Sequence, residues 1–440
     1  MPNIRYILRL VTAFLTRFKA LILLSAVFGA LMFLVMKFVL PNFLAKPSDK
    51  IGLTGRYNTT NLPDFILQMV GDGLTKIDAS GNVEPDLAAS WETPDNGKTW
   101  VFRLKKGTKW QDGKEVTSSS LVYQFSDVVN SYPDSETIVF KLQNAYSAFP
   151  SVVSKPAFRK GLLGTGKWKV KKLNLVGSYI DQITLEEPAG ETVIYKFYPT
   201  EERTKLAFKL GQVDRIIGVL DPKPFDEWDR VQKEANIEAG EFVGIFFNTN
   251  DKLLSEKNLR QALSYAIDKD KLGGKRAIGP ISENSWAFNP QVKPYSYDTE
   301  KAKEMISNLP KEIKSELAIN LTTSPVLMGV AEKISKNWED AGVKTNIQVT
   351  PGVPADYQAF LVIFDMPQDP DQYSIWHSTQ SDSGVVKYQN PRIDKLLEDG
   401  RTQLNIEDRK RIYLDFQRFL VEDSPVAFLY YPATYTISRK

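Results

Sequence analysis

The chain has 440 residues, 42% hydrophobic and 25% charged, which predicts two or three packed units and excludes wholesale disorder. It contains no cysteine and one histidine, which excludes disulfides, thiolate metal sites and a cysteine nucleophile. The formal charge of +3 is uneven: residues 1–50 hold seven basic residues and one acid, and the other 390 hold 49 and 52, a body unlike that of a nucleic-acid binder.

From Ala20 to Met36 there are 17 residues without a charge, and after Lys37 the apolar run resumes to Leu40. At about 1.5 Å per residue the stretch 20–40 spans roughly 30 Å, enough for a bilayer core. A cleaved signal peptide usually has a shorter core, of about 7–15 residues, and a small-residue cleavage site, which NFLAKPSD (42–49) does not offer. Arg5, Arg9, Arg17 and Lys19 precede the run. The positive-inside rule then gives a basic cytoplasmic segment (1–19), a single-pass membrane anchor (20–40) and an extracytoplasmic body from about residue 50. RYILRLVTAFLTRF (5–18) is basic and amphipathic, and reads either as the flank of the anchor or as a lipid- or partner-docking segment.

The body alternates strand and helix patterns, as in an α/β fold. Trp100, Phe102 and Leu104 alternate with polar or smaller neighbours in a half-buried strand ended by Gly107. Thr117 or Ser118 is expected to cap a helix carrying Leu121, Val122, Phe125, Val128 and Val129 on one face. SEKNLRQALSYAI (255–267) has helical spacing with Ser255 at the cap. Asp298 opens a helix with Ala302, Met305, Ile306 and Leu309 inward, and another runs from Leu327 to Trp338 with Gly342 just beyond its end. Val343, Thr345, Ile347 and Val349 alternate as a strand, and AFLVIF (359–364) reads as a strand buried on both faces. Asn390–Pro391 caps a helix, and a long helix with Ile412, Phe416, Phe419 and Leu420 leads to the strand VAFLYY (426–431). There is no G-x-S-x-G, Walker A or G-x-G-x-x-G motif, and a metal or catalytic centre would rest on His377 alone.

Several blocks together resemble one family. GLTKIDASGNVEPDLAASWETPDNGKTWVFRLKKGTKWQDGKEVTSSSLVYQF (73–125) is followed in order by GTGKWKVKKL (164–173), LGQVD (210–214) and FFNTNDKLLSEKNLRQALSYAIDKDKL (246–272). Then come YDTEKAKEMI (297–306), AEKISKNWEDAGVKTNIQ (331–348), DPDQYSIWHSTQ (369–380) and the block from Asn390 to Tyr431. They resemble the extracytoplasmic solute-binding proteins of peptide ABC importers, the dipeptide, oligopeptide and nickel-binding family.

The resemblance implies a two-lobed α/β fold of the periplasmic-binding-protein type, in its large three-subdomain variety (type II). Lobe I would comprise 50–75, 164–243 and 421–440, its accessory subdomain 76–163, and lobe II 244–420, with hinges near Gly244 and Leu420. It implies a monomer without enzymatic activity or cofactor, its partners a peptide or peptide-like ligand and an ABC permease with its cytoplasmic ATPase. The implied ligand-binding set is Asp365, Asp369, Tyr373, Trp376, His377 and Trp286; packing within the loop is the alternative for Trp376 and His377. The family's peptide binders carry an amine-pairing aspartate three residues before an acid–Pro pair. Here that position, counted from Asp369–Pro370, is Met366, and Asp365 lies one residue further back. The chain also lacks the lipidated cysteine of many relatives, and the N-terminal helix would replace it. The same fold could serve a tethered sensor or a chaperone-like module without a transport role.

Overall fold

A computed structural model describes residues 4–39, 48–381 and 385–440. Two large sheets organise the body. The first has seven strands in the order Val231–Ile237, Ala433–Arg439, Arg215–Val219, Ser48–Thr54, Thr192–Tyr198, Tyr179–Glu186 and Lys169–Val176. The second has six, in the order Lys275–Arg276, Val426–Tyr431, Glu241–Phe247, Ala359–Asp365, Ala318–Thr323 and Lys344–Val349. A four-stranded antiparallel sheet (Ala88–Glu92, Thr99–Leu104, Thr137–Leu142, Val128–Ser131) and the small hairpin Thr75–Ile77/Val83–Pro85 lie between the early strands of the first sheet in sequence.

Alternation places the strand Thr99–Leu104 as its sequence predicts: Trp100, Phe102 and Leu104 are buried, and Phe102 meets Phe140 edge to face with centroids 5.7 Å apart. Ala359–Asp365 lies inside the six-stranded sheet, antiparallel to Glu241–Phe247 and parallel to Ala318–Thr323. That position is why Ala359, Phe360 and Leu361 are all buried and the run is continuously apolar. The helices form where their caps allow. The Asp298 carboxylate accepts from the Lys301 N–H (2.9 Å), and the Asn390 side chain accepts from Arg392 and Ile393. Gly342, with φ of +91°, ends the helix Met328–Asp340, a left-handed conformation that suits glycine. The helix Lys257–Ala266 is capped by the Glu256 carboxylate, while the Ser255 hydroxyl bonds back to the Lys252 carbonyl.

The helix expected after Thr117 is absent. A single 3-10 turn, Ser118–Ser120, closes through a Thr117–Ser120 capping box, Leu121 is extended, and Val128–Ser131 pairs instead with Thr137–Leu142. The apolar spacing fits a helix, but three consecutive serines favour local turn bonds and the valines join a non-local ladder.

At the N-terminus, helices Ile4–Arg17 and Lys19–Leu34 meet at Phe18, and a wider turn covers Val35–Val39. Residues Lys19–Lys37 are long and apolar enough to cross a bilayer, and none of their side chains is buried against the body. Leu40, the last residue of the expected span, lies outside the described residues.

Candidate ligand cleft

Among the described residues the chain passes between the two large sheets at two places. Val231–Ile237 ends in the seven-stranded sheet and Glu241–Phe247 starts in the six-stranded one. Val426–Tyr431 leaves the six-stranded sheet, and after Pro432 the strand Ala433–Arg439 joins the other. The strand 426–431, expected in lobe I, therefore pairs in the second sheet, because its edges match Glu241–Phe247 and Lys275–Arg276. The crossings fall at 238–240 and at Pro432, away from Gly244 and Leu420. Gly244 is glycine for packing: a Cβ there would stand 2.7 Å from the Phe242 ring and 3.1 Å from Val426. Leu420 is buried inside the helix Ile406–Asp423. The two crossings are tied together, with the Glu238 N–H donating to the Pro432 carbonyl (2.9 Å) and the Thr434 hydroxyl to the Glu238 carboxylate (2.6 Å).

Beside them opens a cleft of about 320 Å³. Its walls are the turn 77–81, the crossing residues Ile237, Ala239 and Gly240, the loop 282–285, and Met366, Pro367 and Gln368. Among the described lining residues Asp78 alone is charged. Its carboxylate accepts from the Ser80 and Asn82 N–H groups (both 2.8 Å) and from the Asn82 side chain (3.1 Å), and these bonds hold its pKa below the usual carboxylate range. Polar side chains (Asp78, Asn284, Gln368 and two serines) and apolar ones (Ile77, Ile237, Met366) share this small concavity, as in sites that orient a small ligand.

The structure brings Met366 to the cleft wall, with its N–H on the Gly240 carbonyl (2.7 Å), and leaves Asp365 outside. Asp365 sits directly across the ladder from Glu241, and their carboxyl groups hydrogen-bond. Burial first, and then the charges of Asp365 and Glu238, push the Glu241 pKa up to about 7.

The other expected residues are largely committed within the protein. Asp369 takes a bidentate pair from buried Arg409 (2.5 and 3.1 Å) and accepts the Asp371 N–H. Trp376 is buried, stacked on Phe246 with centroids 6.1 Å apart, and donates to the Gln372 side chain (2.7 Å). His377 is buried as well, its ring 4.0 Å from that of Tyr373, with Nδ1 on Thr379 (2.9 Å) and Nε2 on Glu398 (3.5 Å). Trp286 is half-buried and its backbone N–H donates to the Ser80 carbonyl (2.8 Å), which joins the loop of the six-stranded lobe to the turn that carries Asp78.

A second bridge holds the four-stranded subdomain against the same lobe. The Arg401 guanidinium lies over the rings of Tyr146 (4.8 Å) and Tyr373 (4.3 Å) and pairs with buried Asp371 (3.2 Å). The Ser147 N–H donates to the Arg401 carbonyl (2.8 Å). Asp78, Tyr146 and Arg401 were not singled out from the sequence. DASGN (78–82) carries a turn signal, but its place in the cleft depends on contacts between distant segments. Among the described residues no group of three or more His, Cys, Asp or Glu side chains is placed to hold a metal ion.

Two α/β sheets joined by a double crossing, with a ligand-sized cleft beside it, define a binding protein of the periplasmic type. Residues 82–384 match the profile of the bacterial extracellular solute-binding proteins, family 5 (middle segment), and the chain belongs to that family, the substrate-binding components of ABC importers. It is 26% identical over 457 residues to the oligopeptide-binding protein AppA of Bacillus subtilis, covering 86% of this chain and 83% of AppA. The structure of AppA in complex with a nonapeptide superposes with a TM-score of 0.68 at 22% identity, covering 90% and 95% of the two chains. NikZ of Campylobacter jejuni in complex with Ni(L-His) superposes with a TM-score of 0.71 at 21% identity, covering 89% and 94%. The family is one of solute-binding proteins and not of enzymes.

Two measurements probe this geometry. Asp369→Ala leaves Arg409 buried without its partner and lowers unfolding stability in urea by about 3–5 kcal/mol. An effect below about 1 kcal/mol would contradict the buried pair. The raised Glu241 pKa means that the folded state binds more protons than the unfolded chain between the ordinary glutamate value and about 7. Its stabilisation is therefore complete at the acid end of that window and is lost as pH rises through 7. The melting temperature of the wild type should fall more between pH 5 and pH 8 than that of Glu241→Gln; equal slopes would contradict the assignment.

Proposed function

We propose that this protein is the membrane-anchored, extracytoplasmic receptor of an ABC importer, capturing short peptides or peptide-like solutes in the cleft at the double crossing. The observation that carries the reading is the cleft itself, walled by the turn at Asp78, the crossing at Ile237, Ala239 and Gly240, and the loops 282–285 and 366–368 of the six-stranded lobe. A ligand there touches every part whose relative position a hinge motion changes, so closure and binding reinforce one another. The oligopeptide bound by AppA supports peptides as the ligand class.

The lobes in this reading are the seven-stranded sheet with its accessory subdomain, about 76–163, and the six-stranded sheet, which move about 238–240 and Pro432. The helix Lys19–Lys37 keeps the receptor beside its permease at high effective concentration, with residues 1–19 cytoplasmic and the body acting as a monomer. Of the ligand-contacting set expected from sequence, Trp286 backs the cleft wall behind Ser285, and Asp365, Asp369, Tyr373, Trp376 and His377 support the walls. Asp78 and Met366 join the contacts. Asp78 is the charge available to a ligand ammonium, and its capped turn holds it rigidly.

The test is a calorimetric screen of the full-length protein against di- to octapeptides, free and N-acetylated. Free-amine peptides should bind saturably. Asp78→Asn keeps the turn's acceptor and should weaken them about tenfold, equivalent to about 1.4 kcal/mol, while Asp365→Asn leaves them unchanged. Absence of binding across the panel would refute the peptide receptor. Loss of binding in Asp365→Asn alone would move the amine contact to Asp365.

A further inference from the structure

Ahead of the membrane span, the helix Ile4–Arg17 has two unlike faces. Arg5, Arg9, Thr12 and Thr16 recur at helical spacing along one stripe, and Ile7, Leu10, Val11 and Phe14 along the opposite one. Val11, Phe14 and Leu15 are 48%, 54% and 47% exposed, so the body does not cover the apolar stripe. Residues 1–19 hold four basic side chains, Arg5, Arg9, Arg17 and Lys19, and no acid. Phe18, with φ of −108° and ψ of 15°, leaves the helical region and separates this helix from Lys19–Leu34. The two helices therefore need not share an axis.

We propose that Ile4–Arg17 is an in-plane membrane helix that binds the anionic phospholipid headgroups of the cytoplasmic leaflet. The inference rests on the membrane-anchored reading. Continued straight from the span, the 14 residues would carry their apolar stripe about 20 Å into water. Turned at Phe18, the helix buries that stripe at the boundary of headgroups and acyl chains and presents the arginine stripe to the headgroups. Four cations without an acid complement lipid phosphates. The Phe14 and Phe18 rings, with centroids 4.9 Å apart, carry the apolar surface up to the joint. Lys19, the first residue of the second helix, then stands at headgroup level, where a lysine stem reaches the interface. The receptor thus holds the bilayer in two ways, the span by hydrophobic length and the helix by lipid charge, so that its anchoring responds to lipid composition.

The experiment places one dye on the full-length, otherwise cysteine-free protein through Val11→Cys, Thr16→Cys or Phe28→Cys, in nanodiscs of phosphatidylcholine and phosphatidylglycerol, and measures quenching by lipids with brominated acyl chains. An in-plane helix puts position 11, on the apolar stripe, deeper than position 16, so the dye at 11 should be quenched more. A helix running straight out of the span gives the reverse order, because position 16 is nearer the bilayer. With the bromine carried by phosphatidylglycerol, quenching at 11 should be about twice that given by an equal fraction of brominated phosphatidylcholine, and Arg5→Gln with Arg9→Gln should bring that ratio to about one. Quenching at 28 with position 16 equal to or above position 11, or with neither quenched, would overturn the in-plane helix and leave the anchor standing; the second result would point to a protein partner or to water. Equal quenching by the two brominated lipids, or a ratio that survives loss of both arginines, would overturn the anionic headgroup as the partner. Absence of quenching at 28 would overturn the anchored reading and this inference with it.

Discussion

The constraint on which the rest of the molecule depends is the double exchange of strands between two sheets. One strand leaves the seven-stranded sheet at Ile237 and re-forms in the six-stranded sheet at Glu241; a second makes the reverse passage at Pro432. Strands that change sheets must break their ladders at the crossing, and proline, which has no N–H to donate, suits that break. The Glu238–Pro432 and Glu238–Thr434 bonds replace the lost ladder and keep the crossings side by side. The cleft opens beside these adjacent crossings, with Ile237, Ala239 and Gly240 in its wall.

Electrostatics near the axis divide by burial. Where charges are buried they are paired: Arg409 with Asp369, and Arg401 with Asp371 between two tyrosine rings. Such pairs hold loops in place more than they add net stability, since desolvation offsets much of their attraction. At the crossing itself two carboxyl groups face each other, and Glu241 resolves the conflict by holding its proton to about pH 7. Asp78 accepts three hydrogen bonds within its own turn and is the charged residue among the described lining of the cleft.

Much of the fold was legible because it is local. Alternation in Thr99–Leu104, the carboxylate and amide caps at Asp298 and Asn390, and the apolar run at Ala359 all act within a few residues. The segment 118–131 misled because its apolar spacing suits a helix, while its true partner is the strand Thr137–Leu142. The site was less legible for the same reason. DPDQYSIWHSTQ holds the residue types of a binding loop, yet Asp369 is taken by an arginine 40 residues away and Trp376 stacks on Phe246. Met366 stood out as a departure from the family pattern, and it is the residue of that region that reaches the cleft wall. What one chain does not encode locally is which segments face one another across the lobes.

The central claim is that the lobes close on a ligand about the double crossing. The chain has no cysteine, so Lys98→Cys and Glu407→Cys would be the sole labelling sites, on exposed positions beside the point where Gly97 backs onto Leu404 across the lobes. Single-molecule energy transfer between dyes at these positions should resolve a long-distance population without ligand and a short one that becomes dominant with saturating tripeptide. One distance, unchanged while calorimetry reports saturation, would contradict closure and with it this account of how the protein captures its solute.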